Sequence, residues 1–598
     1  MVKFPIFLPL LLLITFSCDA VKVDLISGPI RGKLEKINGQ QVQVFKGVPY
    51  AAKPIGALRF QNAQPAEPWN ETILTTEYSP ACMSNTSQTT SPQSYISEDC
   101  LYINIWADLR CRNNPCPVVF YLHGGGFHFD SATMFNDTEI MSKFASERLV
   151  FVVPAFRLGL FAVLDLGEEL QDAPYNVGLN DIIFALRWVQ TEISKFGGDP
   201  KKVTVFGNSG GASVVSELLV SPAVSTDLFS RAWVASGLPI LEPHLNLNTS
   251  DVIATQAGCP KTENIRARLE CLRSVPAERI NNAARETELT RWEKIGVQSD
   301  SHNLPGRSFA DLVQYWKPIP AVFSVTAREL VFQLKTLEYY CDAYTKMFGY
   351  QSAEVVDECL KRYGNNTERL SPEIMHAIAY FQAKVNVLRS GPTYFMVWAQ
   401  KNHDKHANEM AYFFGLHPVI NKTEDDLEME AFFPPVCRNF FNGEVPLEDW
   451  DQVDYNGRNY YYFNFDGEET PHMVKNGVYD VESIKFWLYH LKEVEEKGTR
   501  VQRSLRRAIV HRNTLASESS GSGKSGNKKY QDAEQSVPLL TVLTILIVAA
   551  FVLATVAFTL SVIQMCWGWR KRRVQPDLEE EEMKILRRYD DDFPKYVF

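Results

Sequence analysis

Apolar positions along this chain follow two alternating patterns. Unbroken apolar runs such as "CPVVFYL" (116–122), "LVFVVPAF" (149–156) and "VTVF" (203–206) read as short strands buried on both faces. Between them, "LNDIIFALRWVQTEISKFG" (179–197) repeats apolar residues at helical spacing and stops at Gly197, a C-cap candidate. A further helix is predicted over "VESIKFWLYHLKEVEEKG" (481–498). Strand, helix, strand, helix in that order predicts an α/β fold, with a mainly parallel central sheet covered by helices on both faces. No internal repeat interrupts residues 21–498, which form one candidate domain.

Two longer apolar runs stand apart. The first follows Lys3 and runs from Phe4 to Phe16, before small residues that end at Ala20. It reads as a secretory signal peptide over residues 1–20, too short and wrongly flanked for a stable span. The second, Val537 to Met565, carries no charged residue and is long enough to cross a hydrocarbon core of about 30 Å. "RKRR" (570–573) follows it directly, and basic residues stay on the cytoplasmic side. The expected topology is single-pass type I, with the large domain outside the cell or in an organelle lumen and residues 566–598 as a cytoplasmic tail. Residues 499–536, basic and then rich in Ser and Gly, read as a stalk. The tail ends in "PKYVF", where Tyr596 and Phe598 precede a free carboxylate, a pattern that fits a PDZ-type partner as well as an idle end.

Composition adds the compartment. A formal net charge of −10 argues against a nucleic-acid partner. Setting aside Cys18 and Cys566 leaves nine of the eleven cysteines, none with zinc spacing, and an odd number leaves one thiol unpaired or intermolecular. Six sequons, at Asn70, Asn85, Asn136, Asn248, Asn365 and Asn421, fit a glycosylated lumenal domain. No metal or cofactor is expected.

The chemistry centres on "TVFGNSGGASVV" (204–215). A strand ends near Gly207, a helix begins near Gly211, and Ser209 stands on the corner between them. G-x-S-x-G in that context pushes a serine oxygen out above a sheet edge, at a helix N-terminus that favours developing negative charge. An idle serine in a glycine-rich loop is the other reading. Upstream, "HGGGF" (123–127) follows a strand, and its glycines let backbone N–H groups converge on an oxyanion.

At this point the chain resembles the type-B carboxylesterases, the family that includes the cholinesterases and the neuroligins. "VFKGVPYAAKPIGALRF" (44–60) is similar to the family's N-terminal signature and "SEDCLYINIW" (97–106) to its cysteine signature. "FRLGLFAVL", "APYNVGLNDIIFALRWVQ" and "FGGDPKKVTVFG" follow in family order. The resemblance implies an α/β-hydrolase fold and a triad in the order Ser, acid, His. It places Glu329 of "FSVTARELVF" at the acid position and His406 of "HANEMAYFFG" at the histidine, with Glu409, Phe414 and Gly415 in register. A solvated surface carboxylate is the other reading of Glu329. The interval between Glu329 and His406 is shorter than the family's, which implies a deletion between them or a misplaced acid. Gly125, Gly126 and Gly210 are the implied oxyanion-hole donors.

Two elbow residues depart from the family. Asn208 stands where glutamate is usual, which removes a negative charge beside the histidine. Gly210 stands where alanine is usual, which loosens the turn. The resemblance also implies the pairs Cys82–Cys100 and Cys259–Cys271. Cys111 and Cys116 can close a small loop, and Cys341 and Cys359 pair unless one joins Cys437.

The implied activity is acyl transfer through an acyl-serine, with a small-molecule ester as substrate. Water as acceptor gives hydrolysis. A hydroxyl or amine acceptor gives synthesis, as in nematode carboxylesterase-like membrane proteins that acylate small glycolipid signals such as ascarosides. The alternative is a neuroligin-like adhesion ectodomain with a vestigial site.

Overall fold

The computed structural model describes residues 20–84, 95–291, 295–330, 336–364 and 366–498. The expected signal peptide, apart from Ala20, lies outside them, as do the stalk, the span, the tail and the sequons at Asn85 and Asn365. Among the described residues no helix is long and apolar enough to cross a membrane. The elements below belong to one compact unit that extends to Glu496.

Its strands are β1 (Ala20–Asp24), β2 (Pro29–Ile37), β3 (Gln40–Pro49), β4 (Ile73–Leu74), β5 (Ala81–Cys82), β6 (Ile96–Ser97), β7 (Tyr102–Asp108) and β8 (Cys116–Leu122). They continue as β9 (Val150–Pro154), β10 (Gly198–Asn208), β11 (Arg231–Ala235), β12 (Ala321–Thr326), β13 (Thr393–Trp398), β14 (Tyr460–Phe463) and β15 (His472–Val474). The main sheet runs β1-β2-β3-β7-β9-β8-β10-β11-β12-β13-β14-β15, with β4 beside β2. From β9 through β14 every pairing is parallel. The N-terminal strands and β15 add antiparallel edges.

The apolar runs account for the parallel centre. β9, β12 and β13 are buried at every residue, as strands covered on both faces must be. The strand at the elbow is longer than its apolar run implies, Gly198–Asn208, and its helix begins one residue earlier, at Gly210. The predicted helix at 179–197 is an α-helix over Val177–Glu192 continued by a 3-10 turn, and Gly197 closes it in the left-handed region at φ 90°. The predicted helix at 481–498 carries a π-helical stretch, Lys485–His490.

Four disulfides join Cys82–Cys100, Cys111–Cys116, Cys259–Cys271 and Cys341–Cys359. Cys437 is free and buried, so the open choice among the last three cysteines resolves to the local pair. The sequon asparagines 70, 136, 248 and 421 are all exposed.

Candidate active site

Five loops leave the carboxyl ends of neighbouring parallel strands and meet. These are His123–Phe127 after β8, Ser209 after β10, Ser236 after β11, Glu329 after β12 and His406 after β13. That edge of an open α/β sheet is where ligands bind.

Ser209 is the tightest point. Its backbone sits at φ 53°, ψ −120°, and the helix Gly210–Val220 starts directly behind it. The corner is held by its own N–H, which donates to the Ala235 carbonyl at 2.8 Å. Small flanks are obligatory here. A Cβ on Gly207 would lie 2.3 Å from the Gly211 carbonyl oxygen, and one on Gly211 would lie 2.3 Å from that of Leu122.

From the serine a continuous hydrogen-bond series runs inward. Ser209 Oγ is 2.9 Å from His406 Nε2, and His406 Nδ1 is 2.6 Å from Glu329 Oε2. Glu329 is 3% exposed, which overturns its reading as a solvated surface carboxylate. Its other oxygen accepts from the Ser236 hydroxyl at 2.6 Å and the Thr326 N–H at 2.8 Å. The short interval between acid and histidine does not separate them. His406 N–H donates to the Arg328 carbonyl, Arg328 N–H to the Asp404 carbonyl, and Ala327 N–H to the Trp398 carbonyl. Arg328 also binds Asp404 through its guanidinium.

Charge follows from this bonding. Burial alone would raise the Glu329 carboxyl. The charge and hydrogen bond of His406, with Ser236 and Thr326, outweigh burial and hold it below the usual carboxylate range. Burial works against protonation of His406, but Glu329's charge and hydrogen bond win and raise the imidazole above its ordinary value.

The glycine loop lies against the elbow. A Cβ on Gly124 would sit 3.2 Å from Ser209 Cβ. Gly125 and Gly126 are left-handed, at φ 89° and 57°, a region a glycine enters without strain. The Gly125 carbonyl accepts from the N–H groups of His128 and Phe129, which closes the turn. Gly210 abuts the same loop: a Cβ there would meet the Gly126 nitrogen at 2.8 Å. The missing side chain lets the elbow and the loop approach this closely.

Asn208 Nδ2 donates to Glu409 Oε1 at 3.4 Å, so a second carboxyl group lies beside the elbow. Glu409 is 1% exposed, and its Oε2 is buried with no partner among the described residues. Burial, aided by Glu329's charge and opposed by His406, pushes it up to about 8, so it is mostly protonated at neutral pH. Sequence reasoning gave no role to Ser236 or Glu409. Glu409 stood in register in the histidine motif; for Ser236 the one signal was its place just after a strand.

The arrangement can abstract a hydroxyl proton, orient and charge-balance the resulting imidazolium, and present backbone donors beside the nucleophile.

Comparison with known proteins bears on the family and the fold. Over 292 residues the chain is 36% identical to liver carboxylesterase 1 of Oryctolagus cuniculus, covering 46% of this chain and 50% of that protein. Over 329 residues it is 35% identical to carboxylesterase 5A of Felis catus, covering 52% and 58%. Venom carboxylesterase-6 of Apis mellifera is 36% identical over 269 residues, covering 44% and 47%. The chain thus matches about half the length of these relatives. Among solved structures, juvenile hormone esterase from Manduca sexta, with OTFP covalently attached, superposes with a TM-score of 0.69 at 22% identity. The match covers 78% of this chain and 99% of that one, and it shows the α/β-hydrolase fold. The model of the carboxylesterase family matches residues 19–487, and this chain belongs to that family.

Proposed function

We propose that this chain is a serine carboxylic-ester hydrolase on a single membrane span, with its catalytic domain in the secretory lumen or outside the cell. The observation that carries the catalytic part is the unbroken hydrogen-bond series Ser209–His406–Glu329 at the carboxyl edge of the parallel sheet. The membrane part rests on the apolar run at 537–565 and the basic residues after it.

In the first half-reaction Ser209 Oγ attacks the acyl carbon while His406 Nε2 takes the hydroxyl proton. Negative charge moves to the carbonyl oxygen, where the N–H groups of Gly125, Gly126 and Gly210 receive it. The bond to the leaving alkoxide breaks, His406 returns the proton to it, and an acyl-Ser209 ester remains. A second hydroxyl then attacks the acyl carbon with His406 again as base, the bond to Ser209 Oγ breaks, and His406 returns the proton to Ser209 Oγ. Water gives the free acid; a sugar hydroxyl of a small glycolipid acceptor would give a new ester. Glu329 keeps the imidazole oriented and balances its charge.

Turnover of a simple aryl ester tests the assignment. Ser209→Ala and His406→Ala should each lose on the order of a million-fold in kcat, and the double variant should lose little more. Ser209→Ala with wild-type turnover would place the chemistry elsewhere. A wild-type domain that turns over no ester but binds a cell-surface partner would favour an adhesion role.

A further inference from the structure

Behind the acid loop lies a buried histidine that the acyl-transfer steps do not use. His376 sits on the helix Leu370–Leu388 and is 6% exposed. Its Nδ1 is 2.7 Å from Asp480 Oδ2, and its Nε2 is 3.1 Å from the Thr326 carbonyl oxygen. A carbonyl and an ionised carboxylate both only accept. A neutral ring would turn a nitrogen lone pair toward one of them, whereas a doubly protonated ring donates to both. Asp480 is fixed as an acceptor by Ser483, whose N–H lies at 3.3 Å and hydroxyl at 2.7 Å. The Tyr479 ring meets the imidazole edge-on, centroids 5.1 Å apart. The titratable groups set against the ring are thus Asp480 and Tyr479 from one segment and Glu329 from the acid loop.

Thr326 joins the two histidines. It is the last residue of β12; its carbonyl faces His376 while its N–H donates to Glu329 Oε1 at 2.8 Å. We propose that His376 is a positioning residue: as a buried imidazolium paired with Asp480, it clamps the Thr326 carbonyl and fixes the backbone that holds Glu329 against His406. Its catalytic consequence rests on the esterase reading above. Burial disfavours the charge on His376, but the hydrogen bond and charge of Asp480, with Glu329, outweigh it. That charge also offsets part of Glu329's pull on His406, so its removal should make His406 harder to deprotonate.

Two measurements test the clamp. The first is the nitrogen resonances of the His376 ring in histidine-labelled wild-type protein at pH 8, assigned by their loss in His376→Gln. This arm needs no turnover, so failure of the clamp and failure of the esterase reading are told apart. Two protonated nitrogens are expected; a neutral ring overturns the proposal. The second is the pH profile of ester turnover. His376→Gln should lower kcat roughly ten- to a hundred-fold with KM unchanged, as a misplaced catalytic group does. The ratio of kcat/KM at pH 8 to that at pH 6 should rise about three-fold, the mark of a half-unit shift. Asp480→Asn should move the ratio the same way, and His376→Lys, which restores a cation, should return it toward wild type. A folded His376→Gln with an unmoved ratio overturns the proposal.

Discussion

Ser209 occupies a backbone region that costs a side-chain-bearing residue about 1–3 kcal/mol, and the neighbouring strands and glycines hold it there. Gly210 is the most informative of those glycines. In a helix an alanine is worth up to about 1 kcal/mol over glycine, so Gly210→Ala would stabilise an open site. Here the new Cβ would meet the Gly126 nitrogen at 2.8 Å. Gly210→Ala should therefore push the donor loop away and lower kcat by about ten-fold or more, with the roughly hundred- to thousand-fold cost of losing an oxyanion donor as the upper bound. Thermal unfolding should barely change. Full activity in that variant would show that the loop gives way freely. At this scale the sequence was readable where a residue sits in a local motif: Ser209 on its elbow, His406 ahead of its helix. Ser236 was not, because it reaches Glu329 only through the pairing of β11 with β12, across 93 residues of chain.

The short helix Glu409–Phe414 anchors the histidine loop. Phe413 and Phe414 pack on the sheet, with ring centroids 4.9 Å from Phe206 and 4.6 Å from Tyr121 respectively, and every residue of the helix is buried. Its first residue introduces a pH dependence. Glu409 titrates at about 8 in the fold against an ordinary 4.5, so the folded chain keeps a proton that the unfolded chain has lost between those values. The group's contribution is complete below about pH 4.5 and falls away as pH rises toward 8. Glu409→Gln removes the titration while keeping the shape. Its melting temperature relative to wild type should rise steadily from pH 5 to pH 8; parallel melting curves would contradict the protonated state. Strands and helices were legible where burial is two-sided, as in β9 and β10. The criterion of unbroken apolar runs passes over β1, whose residues alternate between solvent and core, and so it leaves the antiparallel N-terminal edge unread. The π-helical stretch is equally silent, since its apolar spacing differs little from that of an α-helix.

At the scale of the whole molecule, the parallel sheet gathers the five loops at one edge, and the four described sequon asparagines are all exposed. The proposed orientation predicts that protease outside sealed microsomes trims only the segment beyond residue 565 and leaves a glycosylated domain intact. A digested domain with a shielded tail would reverse it. The central claim is narrower: Ser209 is a nucleophile activated by His406. Its most direct test is the reaction of the purified chain with a fluorophosphonate, followed by peptide mapping of the adduct at several pH values. One adduct is expected, on Ser209, absent from Ser209→Ala. Its rate should fall as acid protonates His406, with a midpoint above the ordinary histidine value of 6.5. No adduct, or an adduct on another residue that survives Ser209→Ala, would contradict it.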